Sequence, residues 1–348
     1  METKTWIVDV ESDLSTSYPQ IKQAAELLKQ DEVIAFPTET VYGLGGNALS
    51  TNAVGKIFMA KGRPSDNPLI VHIAERSQLD SLVSYVSPLA EKLMDEFWPG
   101  PLTLIFQAKE NVVSDKVTAG LSTIAVRMPD HPVAIALIRE AGLPIAAPSA
   151  NRSGKPSPTS AHHVWNDLNG RIAGIVDGGF TGVGLESTVV DCTEGIPVIL
   201  RPGGITKEQV EGIAGEVRVD PALKQQNEAP KSPGMKYAHY APEAPLYIVE
   251  GSLPFIQELV DKEMARKKRV GVLATDETKH LYQAQVVLSC GARQDLHSVA
   301  SRLYETLRKF DEAEVDIIFS ESFPTIGMGD AIMNRLEKAA AHQKIIEK

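Results

Sequence analysis

The spacing of apolar residues changes along the chain, and each change marks an element. In PQIKQAAELLKQ, residues 19–30, apolar positions recur every three to four residues, the period of an amphipathic helix. VIAF at 33–36 follows as a short β-branched and aromatic run, then a helical pattern over 51–61 and a strand at PLIVHI. Further strands are expected at LTLIFQ (102–107), TIAVRM (123–128), PIAA (144–147), GIVD (174–177), STVVDC (187–192) and PVILR (197–201), with helices between several of them. Their uneven spacing predicts a twisted mixed sheet with helices rather than a purely parallel one, in one large α/β domain over 1–219. From 246 to 348 the rhythm is strictly alternating: PLYIVEG, a helix opened by Pro254, RVGVLAT, a short helix, AQVVLSCG, a helix over 294–310, VDIIFS, and a helix over 328–341. That repetition predicts a small Rossmann-like parallel α/β domain. The Pro-rich polar stretch 220–245 reads as the linker between them.

Composition adds boundaries to this picture. With 348 residues, 43% hydrophobic and 23% charged, the chain suffices for two domains with separate cores. The opening METKTWIVDVESD is acidic and alternating, unlike a signal peptide, and no apolar run reaches membrane-spanning length, so the expected compartment is the cytoplasm. Cys192 and Cys290 lie far apart in apolar runs and are expected to be buried reduced thiols. A formal charge of −10 means that nucleic acid could be engaged only through a local basic patch, whereas a few converging Lys and Arg side chains can still hold a small polyanion.

Polar residues collect where strands end. FPTETVYGLGGNA (36–48) places Thr38, Glu39, Thr40 and Tyr42 beside a Gly-rich loop; the glycines alone fit a tight strand-to-helix turn, but four hydrogen-bonding side chains against an apolar strand need partners. KGRPSDNPLIVHI (61–73) sets Lys61 and Arg63 at a helix end, before a Pro-stiffened loop with Asn67 and a strand carrying His72. APSANRSGKPSPTSA (147–161) supplies Ser149, Asn151, Ser153 and Ser157 after the strand PIAA. GLESTVVD, ILRPGGI and TIAVRM add Ser187, Arg201 and Arg127. Arginines at strand ends in an acidic chain fit an anion site, and equally fit surface ion pairs. There is no G-x-x-x-x-G-K-[ST], G-x-S-x-G or H-E-x-x-H, so the chemistry implied is orientation and charge neutralisation, without a covalent nucleophile. SPGMKYAHYAP (232–242) is too aromatic for a spacer. It reads as a lid over the first domain, with Tyr237 inside and His239 or Tyr240 at the rim, or else as glue between domains.

Taken in order, PTETVYGLGGNA, KGRPSDNPLIVHI, SANRSGKPSPT, ESTVVD, RPGGI and SPGMKYAHYAP resemble the threonylcarbamoyl-AMP synthases in their long form, a YrdC-type catalytic domain followed by a C-terminal domain, and IGMGDAIMNRLEKAA resembles that family's closing segment. The resemblance implies conversion of L-threonine, bicarbonate or CO2, and ATP, with Mg²⁺ assisting, into threonylcarbamoyl-AMP and pyrophosphate. That product would feed the threonylcarbamoyl transferase machinery that modifies tRNA adenosine next to the anticodon. It gives threonine to Thr40, His72, Arg127, Ser187 and the backbone at Ala147, with Arg127 on the carboxylate. It gives ATP to Lys61, Arg63, Asn67, Thr123, Ser149, Asn151, Ser157, Arg201 and Tyr237, with Lys61, Arg63, Ser149 and Asn151 at the reacting phosphate; metal contacts would come from phosphate and water, with no protein metal ligand. Ala238 departs from the pattern, where such proteins carry a larger, often basic residue.

Two alternatives carry their own signatures. Carbamoyl-AMP formation, as in hydrogenase-maturation carbamoyltransferases, belongs to chains with cysteine-rich zinc modules, which two distant cysteines cannot build. A double-stranded RNA or tRNA-binding module would need an exposed basic face, for which Lys61, Arg63, Arg152 and Lys155 are the candidates.

Overall fold

The computed structural model describes residues 2–14, 18–221 and 240–348. They divide into two compact units. The first takes the described residues up to Ser153, then Pro158–Gly182 and those from Glu186 to Pro221; the second takes Gly154–Ser157, Val183–Leu185 and everything from Tyr240 onward.

The first unit is built on one sheet of 11 strands: β1 Lys4–Ile7, β2 Ile34–Phe36, β3 Gly43–Asn47, β4 Ile70–His72, β5 Leu102–Gln107, β6 Thr123–Arg127, β7 Ile145–Ala146, β8 Gly174–Asp177, β9 Thr188–Asp191, β10 Val198–Arg201 and β11 Arg218–Val219. Their spatial order is β1-β8-β2-β3-β7-β4-β6-β5-β9-β10-β11. Pairings are mixed: β4 runs parallel to β6 and β5 to β9, whereas β3, β7 and β10 each run antiparallel to a neighbour. Every strand anticipated for this region from sequence is present, and the sheet is mixed as its irregular spacing implied.

One element differs from expectation. The glycines of GLGGN, read as a loop, form β3, which pairs antiparallel with β2 on one side and β7 on the other. Glycine is a poor strand former, so propensity points the wrong way; close packing explains its use. A Cβ on Gly45 would stand 2.6 Å from the Phe36 ring and 2.8 Å from a methyl of Ile145, and one on Gly46 would meet Ile57 at 3.2 Å. Backbone pairing continues past β3, because Leu44 N–H donates to Pro148 O and Ala150 N–H to Tyr42 O. This zips the 148–150 segment onto the sheet.

The helix Thr51–Lys61 follows. Ser50 caps its start by accepting from Ala53 N–H, and Gly62, at φ 64°, ends it. Gly62 N–H donates to Met59 O and Arg63 N–H to Phe58 O, a Schellman-type closure that turns the chain sharply after Lys61. The main core lies against one sheet face, with Leu44, Ile57, Leu69, Val71, Leu102, Leu104, Ile124, Val126 and Val190 buried in it.

The second unit carries five parallel strands, β12 Leu246–Glu250, β13 Val270–Ala274, β14 Val286–Ser289, β15 Ile317–Glu321 and β16 Lys344–Ile346, in the order β14-β13-β15-β12-β16. The helices Leu253–Ala265, Leu296–Glu312 and Met328–Ala339 connect them, as the alternating rhythm required. At the carboxyl ends, buried Glu321 accepts from Tyr282 (2.9 Å) and Arg293 (2.6 Å). Tyr240, one of the two residues expected at the rim of the site, packs within this unit: it is buried, stacked on Tyr304 at 5.1 Å and capped by Arg335 at 5.6 Å. Tyr237 and His239, and with them most of the anticipated lid, lie outside the described residues.

The close approach at β3 makes a direct prediction. Gly45→Ala should lower stability by about 1–3 kcal/mol, since neither Phe36 nor Ile145 can withdraw from a packed layer. Urea unfolding measures it, and an unchanged midpoint would show that β3 is not held this tightly.

Candidate active site

Side chains alternate across a strand, so the face opposite the main core can be read from register. It presents Ile70 and His72 of β4, Thr123, Ala125 and Arg127 of β6, Thr103 and Ile105 of β5, and Val189 of β9 with Ser187 just before it. Ile70, Ile105, Ala125, Val189 and Leu200 form a small apolar floor of their own. The first unit also buries the polar and cationic groups Thr40, Lys61, Arg63, Asn67, His72, Thr103, Arg127, Asn151, Ser187 and Arg201. Burying so many without compensation would be unfavourable, and their partners define the site.

Arg127 ends β6, level with His72 at the end of β4, which it pairs in register. Its Nε donates to Gly100 O at 3.2 Å and its Nη1 to Thr40 Oγ1 at 3.0 Å; Nη2 lies 2.5 Å from Glu39 Oε1 as an ion pair. Thr40 is fixed in turn by Thr38, whose hydroxyl also donates to Val41 O at 2.7 Å. His72 is buried edge-on to Phe36, and burial, assisted by the Arg127 charge, pushes its pKa down to about 3. It is therefore a neutral imidazole, able to donate from one nitrogen and accept at the other, but not to supply charge. Ala147 N–H donates to Ile70 O, placing that backbone beside β4.

A second centre surrounds Lys61. Its ammonium donates to Ser149 O at 2.5 Å and to Asn151 O at 2.8 Å, while Ser149 Oγ donates to Asn151 Oδ1 at 2.5 Å. Burial first, and then the neighbouring Arg63 charge, lowers the Lys61 pKa from 10.5 to about 7. The Schellman turn after Lys61 aims Arg63 back toward Asn67, whose carbonyl accepts at 3.5 Å. Asn67 is fully buried. A third group joins Arg201 to Ser187: Nε and Nη2 donate to Ser187 O at 3.1 and 2.8 Å, and Ser187 Oγ shares a 2.7 Å hydrogen bond with Thr103. The RPGGI glycines serve this contact, because a Cβ on Gly203 would strike the backbone of Glu186 and Ser187 at 2.3–2.5 Å.

The structure thus brings together Thr40, His72, Arg127 and Ala147, gathers Lys61, Arg63, Asn67, Ser149 and Asn151, and joins Ser187 to Arg201. Thr123 begins β6, so it stands four residues, about 13 Å, from Arg127 along the same face. Ser157 groups with the second unit and is fully buried, and Tyr237 is outside the described residues. Lys61 and Arg63 are too buried to form the solvent-facing basic surface that an RNA reading requires, and Lys155 pairs with Glu243 at 3.7 Å. Among the described residues no three His, Cys, Asp or Glu side chains converge on a metal position. Both cysteines are buried and free. Sequence reasoning noticed Glu39 but gave it no place in the site; its opposite charge to Arg127 was the available signal.

A mixed α/β sheet with buried cationic side chains held by backbone carbonyls fits the class of proteins that bind small anionic ligands. Comparison with known proteins makes the class specific. Residues 26–203 match the Sua5/YciO/YrdC family profile, described as telomere recombination, and residues 205–341 match the threonylcarbamoyl-AMP synthase C-terminal domain. The chain is 62% identical over 345 residues to the threonylcarbamoyl-AMP synthase of Bacillus subtilis, covering 99% of this chain and 100% of that one. It is 48% identical over 331 residues to the Pyrococcus abyssi enzyme of the same name, covering 94% and 95%. A crystal structure of the P. abyssi protein complexed with L-threonine matches at a TM-score of 0.92 with 45% identity, covering all of both chains. The chain belongs to the threonylcarbamoyl-AMP synthase family.

The buried ammonium of Lys61 has a measurable signature. Folded, it releases its proton near pH 7; unfolded, near the ordinary 10.5. Between these values the unfolded chain holds more protons, so folded stability rises with pH, by at most about 1.4 kcal/mol per unit. Relative to Lys61→Met, the native chain should therefore gain stability in urea titrations from pH 7 to pH 9. A difference independent of pH over that window would contradict the buried, depressed lysine.

Proposed function

We propose that this chain makes L-threonylcarbamoyl-AMP and pyrophosphate from L-threonine, bicarbonate or CO2, and ATP. The observation that carries the reading is the presence in one unit of two buried cationic centres, Arg127 with Thr40 and Lys61 with Ser149 and Asn151. The P. abyssi relative crystallised with L-threonine supports the amino-acid half.

In this reading the guanidinium of Arg127 takes the threonine carboxylate, by paired N–H donors, and Thr40, neutral His72, Ser187 and the backbone at Ala147 orient the rest. Holding the carboxylate has a chemical consequence: the amine, not the carboxylate, becomes the reacting end. The amine captures CO2 as an N-carboxylate, one oxygen of which attacks the α-phosphorus of ATP while the bond to pyrophosphate breaks. Lys61 and Arg63 neutralise charge at the phosphates, and Asn67, Thr123, Ser149, Asn151 and Arg201 of the same unit complete the nucleotide site. Mg²⁺, when bound with the triphosphate, would supply further neutralisation of phosphate charge. A carbamate is lost readily to water, so the buried walls around Arg127 protect it. The product is a mixed anhydride, and a transferase that threonylcarbamoylates tRNA adenosine beside the anticodon is the partner that consumes it.

Pyrophosphate release from MgATP should require L-threonine and bicarbonate together; turnover with carbamoyl phosphate alone would overturn the reading. Arg127→Gln should raise the KM for threonine about 10–100-fold, the range for a lost charged hydrogen bond, and leave the KM for ATP within about threefold. Equal effects on both substrates would move Arg127 out of the threonine site.

A further inference from the structure

Glu39 is a charged group beside Arg127 that the reaction outlined above leaves without a role. Its side chain is 13% exposed, beside the 4%-exposed Arg127. Both of its carboxylate oxygens are buried and, among the described residues, accept no hydrogen bond, and Arg127 Nη2 beside them donates none. A buried ionic group with its lone pairs unused has a large unmet demand for donors, since the Coulombic attraction of one neighbour does not replace them. The pair is also complementary to a zwitterion. A guanidinium next to a carboxylate matches the carboxylate and ammonium that an α-amino acid carries on adjacent atoms.

We infer that Glu39 holds the ammonium of the amino-acid substrate and takes its first proton, an assignment that rests on the threonine reading of Arg127. As the N–H bond breaks an O–H bond forms on Glu39, giving a neutral amine and a neutral acid. The amine lone pair then attacks the carbon of CO2, forming the C–N bond and breaking one C=O π bond, and the second proton leaves to solvent to give the carbamate anion. Protonation of Glu39 removes the repulsion that two adjacent anions would otherwise exert. Among the described residues, three charged or titratable groups interact with Glu39. Arg127 lies against it; Asp130 and His131, at the start of the helix Pro132–Ala141, are coupled to it electrostatically. His131 is held toward its neutral form mainly by burial.

The test compares the native chain with Glu39→Gln, which preserves shape and removes the charge. By calorimetry the native chain should bind L-threonine more tightly than 3-hydroxybutyrate, which is threonine without its amine, and the Gln variant should lose about 10–100-fold of that discrimination. In turnover, the kcat/KM deficit of the variant should shrink as pH rises and the free amine forms without help, while the KM for ATP stays within about threefold. Glu39→Asp, which keeps the acid, should retain the native pH profile. Unchanged discrimination, or a deficit independent of pH in a variant with a native melting curve, overturns the inference alone. Failure of the native chain to bind threonine overturns the underlying reading as well.

Discussion

Everything at this site depends on holding cations out of water inside a unit built on one mixed sheet. Arg127, Lys61, Arg63 and Arg201 are each less than 9% exposed. An unpaired buried charge costs several kcal/mol, so each must be tied to oxygen atoms in fixed places. Backbone carbonyls serve each of them: Gly100 for Arg127, Ser149 and Asn151 for Lys61, Asn67 for Arg63 and Ser187 for Arg201. Carbonyl dipoles carry no net charge. They stabilise a cation while leaving its field available to an anionic ligand, which a ring of carboxylates would cancel.

That arrangement accounts for local features that would otherwise be unconnected. The Gly-rich strand β3 lets the 148–150 segment pair closely with it, and that pairing delivers the two carbonyls that hold Lys61. The left-handed Gly62 ends the helix at Lys61 and redirects Arg63. Gly203 allows the turn after β10 to press on Ser187, the residue that Arg201 grips. Glu39 adds a carboxylate placed directly against a guanidinium, an arrangement whose two charges mirror those of an amino acid.

Much of this was legible in the sequence, and the limits have physical reasons. Strands such as LTLIFQ and TIAVRM declare themselves because β-branched and aromatic runs are what a buried sheet requires, and the parallel sheet of the second unit follows from its alternation. β3 was misread because glycine lacks the side chain that signals a strand, and the packing that demands glycine comes from Phe36 and Ile145, the latter a hundred residues away. Arg127, Lys61 and Ser149 were identifiable as polar residues at strand or helix ends, but which carbonyl each one meets depends on register across β3, β7, β4 and β6. Tyr240, read as one of two alternatives for the rim of the site or else as glue, has Tyr304 and Arg335 as ring partners. Glu39 was visible as a residue and invisible as a partner, since nothing local ties position 39 to position 127.

The central claim is that the buried guanidinium of Arg127 sequesters the threonine carboxylate and leaves the amine to react. Incubating the chain with L-threonine, ¹³C-bicarbonate and MgATP and weighing the adenylate by mass spectrometry tests it directly. The account predicts a threonine-containing adenylate that carries one ¹³C atom from bicarbonate. An unlabelled threonyl-AMP, formed through the amino acid's own carboxylate, would contradict it.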